Sequence, residues 1–167
     1  MNETEVVELI RPRLKGCTIT DVKDFGDAFA IFFVNDEYHK SGKVEDLMIG
    51  AGPIIYIKNT GEIFETGSGQ SAERYIKAFR ECGDVYGRES ETLVITEIPQ
   101  EHNEKKATLN LKTILGLPLS ESKTLIEKIV KDGKIEITLK NERGAEDAKN
   151  AFANLGFKAN RLWKKAR

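Results

Sequence analysis

Residues 50–69, GAGPIIYIKNTGEIFETGSG, hold five glycines in twenty positions. Such a run can cradle a phosphate or only bend the chain. A phosphate loop sets its glycines between a strand and a helix, in Gly-x-Gly-x-x-Gly spacing or ahead of a Lys-Ser/Thr pair, so that backbone N–H groups face the anion. GSGQSAERY stands between a predicted strand and a predicted helix, but it is short and has no lysine, and no acid follows a second parallel strand. The glycines are therefore read as architecture. Gly61 supplies the left-handed position of an NTG hairpin turn, and Gly67 and Gly69 lead to Ser71, the N-cap of a helix.

His39 lies in the polar stretch NDEYHKSGKVED with Asp36, Glu37, Glu45 and Asp46 close by in sequence. A general base needs a partner carboxylate and a nucleophile that converge on it, and none of these spacings forces convergence. The same acids, with Asp24 and Asp27, could instead form an acidic face that steers a basic protein. Tyr38 would be its aromatic anchor. An ordinary solvated loop is the competing reading. Cys17 and Cys82 have no nearby histidine and are read as packing residues. Two histidines and two distant cysteines give no zinc pattern. No catalytic set, cofactor or metal follows from these residues.

The chain has 167 residues, 40% hydrophobic and 32% charged, an ordinary balance for a soluble protein. No apolar run reaches the roughly 20 residues of a membrane span, and the start MNETEVVELI lacks the pattern of a signal peptide. A cytoplasmic protein with reduced thiols is expected. Residues 1–88 carry 11 Lys and Arg against 15 Asp and Glu, a charge of −4; residues 89–167 carry 15 against 12, a charge of +3. An acidic first half disfavours a nucleic-acid partner and suits a basic protein.

The elements that must position these residues fall into two groups. Val6, Ile10 and Leu14 make one helical stripe, with Pro12 breaking its last turn. Residues 17–23 alternate as a strand, DFGD is a turn, and the continuous apolar run 28–34 suits a strand buried on both faces. A polar loop follows, then the PIIYIK and EIFETG hairpin and a helix burying Ala72, Tyr75, Ile76 and Phe79. GDVYGRES at 83–90 reads as the boundary. Beyond it TLVITEI is a strand and ATLNLKTIL a helix closed by Gly116. A second helix, capped by Ser120, turns Leu125, Ile126, Ile129 and Val130 inward. KIEITLK is a strand, then comes a helix burying Ala148, Ala151, Phe152 and Leu155, and FKANRLW is the last strand. Trp163 there either closes the core or makes a half-exposed contact, and the basic tail KKAR is a solubilising end. The predicted class is α+β in two small domains, 1–88 and 89–167. The first is a helix, an antiparallel sheet and a helix; the second is βααβαβ with its helices on one face of a three-stranded sheet.

Two family resemblances add functional expectations. GAGPIIYIKNTGEIFETGSGQSAERYIKAF resembles the pattern of the bacterial immunity protein thirty-five family: a Gly-x-x-Pro strand, a Thr/Ser-Gly-Glu turn, a returning strand, and a helix with Tyr-Ile/Leu. The likeness covers roughly residues 3–82. It implies a small protein that binds and neutralises a cognate toxin; the composition and the missing catalytic set add the expectation of no chemistry of its own, no nucleic acid and no membrane. Residues 92–165 resemble the C-terminal domain of the ribosomal large-subunit stalk protein, through GLPLSESKTLIEKI and GAEDAKNAFANLGFKANRLW. In that family a basic helix face meets translational GTPases. Lys123 matches one cation of the pattern and Lys112 falls on another, while Leu109, Pro118 and Ser120 depart from it. The resulting expectation is a non-enzymatic immunity protein that masks its toxin. The alternative is a translation-associated adaptor acting through Lys112, Lys123 and Lys128. An enzyme that reverses the toxin's modification is a third class, and it would need a converging catalytic set.

Overall fold

The structure, a computed structural model, describes residues 1–101 and 103–166. The protein is α+β, and its chain divides into two compact units, Met1–Gly87 and Arg88 onward.

The first unit opens with helix α1 (Glu3–Ile10). A capping box starts it: Asn2 Oδ1 accepts from the Glu5 N–H at 3.0 Å, and Glu5 Oε2 accepts from the Asn2 N–H at 2.7 Å. Pro12 ends the α-helical bonding and the chain tightens into a 3-10 turn over Arg11–Arg13. Strands β1 (Cys17–Asp24), β2 (Ala28–Asn35), β3 (Ala51–Ile57) and β4 (Ile63–Gly67) form an antiparallel sheet in that order. Between β2 and β3 lies a short helix α2 (Asp36–Ser41), and α3 (Ala72–Cys82) follows β4.

The apolar run in β2 exists because both faces of the sheet are covered. Phe29 and Ile31 pair in register with Tyr56 and Ile54, and with Val6, Ile10 and Leu14 they build the core under α1. Ala28 and Ala30 pair with Ile57 and Ile55 and meet Ala72, Tyr75 and Ile76 of α3 on the other face. Strand alternation sends neighbours to opposite sides, so every position of β2 from Ala28 to Ile31 is buried. Each large side chain among them contributes about 1.5–3 kcal/mol on burial.

In the second unit β5 (Arg88–Glu97) is the centre of an antiparallel sheet ordered β6-β5-β7, with β6 at Ile135–Thr138 and β7 at Lys158–Lys164. Helices α4 (Glu104–Leu115), α5 (Leu119–Asp132) and α6 (Glu142–Asn154) pack Leu111, Ile126, Ile129 and Phe152 onto Leu93, Ile95 and Ile135. Register puts Thr92, Val94, Glu136, Thr138 and Asn160 on the other, helix-free face.

Several expectations change. Residues 36–46 are not one loop: α2 forms there, with Asp36 and Glu37 in its first turn, His39 and Lys40 in its last, and Gly42 closing it at φ +64°. Those charges complement the helix dipole, a signal that apolar periodicity does not carry. Ser120 does not cap α5; Pro118 occupies the N-cap position and offers no side-chain acceptor to the first-turn N–H groups. The inward stripe of α5 runs through Ser122, Ile126 and Ile129, which turns Val130 outward, 56% exposed. Leu155 is 40% exposed because α6 ends one residue before it. Strand β5 begins at Arg88, inside the stretch read as boundary. Trp163 is half-buried. Of the basic tail, Arg167 lies outside the described residues.

Candidate protein-binding surface

The acidic candidates do not share one face. Asp24 and Asp27 sit at the β1–β2 turn, where register pairs Asp24 with Phe29; Cys17 and Asn35 pair at the other end of the same hairpin. Eight residues of strand, at about 3.3 Å each, separate the two ends by about 25 Å.

At the turn both acids are neutralised locally. Asp24 Oδ1 accepts from Lys58 Nζ at 2.6 Å and from the Gly26 N–H at 2.8 Å. The Lys58 hydrogen bond, then that of Gly26, holds its carboxyl below the usual range. Arg80 on α3 forks onto Asp27, Nε to Oδ2 at 2.9 Å and Nη2 to Oδ1 at 2.5 Å, and lowers its pKa in the same way. These two acids tie the hairpin down.

At the other end Asp36 accepts from Thr18 Oγ1 at 2.7 Å, and Asp46 Oδ2 accepts from Ser41 Oγ at 2.5 Å. Glu45 lies 3.8 Å from Lys43 in a loose, exposed pair, and Glu37 is exposed. Tyr38, the expected anchor, is half-buried on α2, and His39, weighed above as a general base, is exposed. The Cys17 thiol is pushed up, first by burial and then by the charge of Asp36, so it is a poor nucleophile. Cys82 donates its thiol proton to the Ala78 carbonyl at 3.3 Å. Among the described residues no three His, Cys, Asp or Glu gather as a metal site, and no helix is long and apolar enough to cross a membrane.

What sequence reading missed stands beside these acids. Between α2 and β3 the chain exposes Val44 at 79%, Leu47 at 38%, Met48 at 39% and Ile49 at 92%. This segment is held in place. The Asn35 side chain donates to the Asp46 carbonyl at 2.6 Å and accepts from the Met48 N–H at 3.3 Å. Clefts of about 340 and 300 Å³ flank it, and both are lined by Phe33, Met48 and Ala51. The signal in the sequence is the run LMI, apolar yet belonging to neither neighbouring strand pattern.

In the second unit Lys123 lines a cleft of about 310 Å³ between α4 and α5, with Lys105, Leu109, Leu119 and Ile126. Its Nζ lies 3.7 Å from Glu127. Lys112 is exposed in the last turn of α4 and does not line that cleft; Lys128 lines another, beside Leu125 and Lys134. The three expected lysines therefore do not converge.

Compared with protein-family models, with characterised proteins and with solved structures, the chain matches none significantly.

Proposed function

We propose that the chain is an immunity protein: it binds a cognate toxin and neutralises it by covering the toxin's active site or substrate surface, with no chemistry of its own. The observation that carries this reading is the pinned, exposed segment Val44–Ile49. Ile49 at 92% and Val44 at 79% exposure, on backbone fixed by Asn35, are displayed at a cost in solubility that a partner surface would repay. The resemblance of residues 3–82 to the immunity family supplies the kind of partner. The test starts from the neighbouring reading frame, expected to encode a large secreted protein with a variable C-terminal end. That end, expressed alone, should stop growth, and co-expression with this chain should restore it. Arrest in both cases overturns the reading.

A second reading, a translation-associated adaptor, is favoured by the α4–α5 cleft, where Lys123 stands beside the exposed Leu109 and Leu119. Under it, Lys123→Glu abolishes capture of a purified translational GTPase while the chain stays folded. Under the immunity reading that variant still protects, unless the second unit holds the interface.

A further inference from the structure

The sheet face under α1 is only partly covered. Leu14 is the last residue of the helix side to pack there, and beyond it the same face runs on through Phe33 and Ile54. An open cleft of about 340 Å³ results, with Phe33, Met48, Ala51 and Ile54 as apolar lining and Arg13 and Lys15 at its mouth.

The two cations are the unusual part. Both are exposed, and among the described residues neither has a carboxylate within ion-pair distance. Arg11 adds a third in the run RPRLK. Glu65 is the one acid lining the cleft, so the lining itself carries a net positive charge. This stands out in a unit with 10 Lys and Arg against 15 Asp and Glu. Charges beyond a Debye length of about 8 Å are largely screened at physiological ionic strength, so the charges close to the cleft decide: Arg13, Lys15 and the adjacent Arg11 against Glu65 and Asp36, the last of which acts on the Cys17 thiol of the lining.

We propose that this cleft takes an acidic segment of the partner protein, with one apolar side chain seated on Phe33 and Met48 and flanking carboxylates on Arg13 and Lys15. The proposal rests on the reading of the first unit as partner-binding. The occupant is a peptide segment because a second open cleft of about 300 Å³ adjoins this one and shares Phe33, Met48 and Ala51 with it. Two adjoining apolar clefts suit successive side chains of a segment better than one small anion.

The experiment is an NMR titration of the isotope-labelled full chain with a short peptide of one phenylalanine flanked by glutamates, and with its lysine-flanked counterpart. The acidic peptide should shift the amides of Phe33, Met48, Ala51 and Gly52. Its affinity should fall with added salt, and about tenfold in the Arg13→Glu, Lys15→Glu double variant. Met48→Gln should weaken it with the charges intact. Equal binding of both peptides, binding of neither, or shifts elsewhere overturns the proposal. So does a stronger response of the same amides to a single-stranded oligonucleotide, or the same shifts on raising protein concentration alone, which would assign the groove to a nucleic acid or to a second copy. In cells, a double variant that still protects removes the cleft from the interface and leaves the immunity reading standing. Failure of the unaltered chain to protect removes that reading, and the titration still decides the cleft.

Discussion

Arg80 and Asp27 clasp helix α3 to the β1–β2 turn: two guanidinium nitrogens reach the two carboxylate oxygens, and Nη2 also donates to the Phe25 carbonyl at 2.9 Å. The pair is 47% and 40% exposed, so solvent screens it and its worth is about 0.5–1 kcal/mol despite the forked geometry. Asp27 has its pKa lowered in the folded state, chiefly by the Arg80 hydrogen bond. Its contribution is therefore full above the unfolded carboxylate value of about 3.9 and is lost as pH falls through the lower folded value. Asp27→Asn should lower the urea midpoint at pH 7 and leave a smaller gap to wild type in the most acidic buffers. A gap that widens on acidification would contradict the clasp.

The two glycines Gly52 and Gly61 should respond differently to alanine. A Cβ on Gly52 would lie 2.2 Å from the Gly67 carbonyl oxygen and 2.8 Å from Thr66 Oγ1, where β3 and β4 run close. Thr66 is buried and donates to the Pro53 carbonyl at 2.6 Å, so it has no room to yield. Gly61 has open space around it and only a positive φ of +73°. Gly52→Ala should cost about 2–3 kcal/mol as overpacking against backbone, and Gly61→Ala about 1 kcal/mol from the left-handed conformation alone. Equilibrium denaturation of the two variants ranks them. The reverse order would mean that β3 and β4 do not approach as described.

Arg161 of β7 is the most buried cation among the described ion pairs, with 9% of its side chain exposed. It donates to the Ser90 carbonyl at 2.8 Å and the Glu89 carbonyl at 3.0 Å, and it meets the Glu89 and Glu146 carboxylates. Removing it leaves two β5 carbonyls and two acids short of a donor. Arg161→Ala should cost about 2–3 kcal/mol. Arg161→Lys should recover only part, because an ammonium does not reproduce the planar fork. Glu146 keeps a lowered pKa through Lys149 first and Arg161 second, so Glu146→Gln should be milder. Thermal melting of the three variants checks the order.

Much of this architecture is legible in the sequence, because period and punctuation report it directly. The apolar run from Ala28 has no polar alternation since α1 and α3 cover both faces of β2 as far as Ile31, while Phe32, Phe33 and Val34 beyond it are only partly buried, and Gly26, Gly61 and Gly116 sit at positive φ where the turns and helix end need them. Phase within α5 is harder: Leu125, Ile126, Ile129 and Val130 are all apolar, and only packing against β5 and β6 decides that Val130 faces out. Surface function is harder still. Asp24 and Asp27 look like a steering patch in sequence, yet Lys58 and Arg80, 34 and 53 positions away, neutralise them. The exposure of Ile49 depends on Asn35 holding the segment, a long-range bond that no local pattern encodes.

Ile49 separates stability from binding. At 92% exposure it contributes little to the core, so Ile49→Ser should change the unfolding free energy by no more than about 0.5 kcal/mol. If Val44–Ile49 is the partner surface, the same change removes an apolar anchor and should weaken toxin binding at least tenfold, about 1.4 kcal/mol. Val44→Ser should act alike, and the two together should abolish protection in co-expressing cells. Asn35→Ala tests the other half of the idea: it keeps every apolar side chain but releases the two hydrogen bonds that fix them. Binding should weaken through lost preorganisation, read as a slower association rate together with faster dissociation. Full protection by the Val44→Ser, Ile49→Ser variant, with an unchanged melting curve, would show that the partner sits elsewhere on the chain.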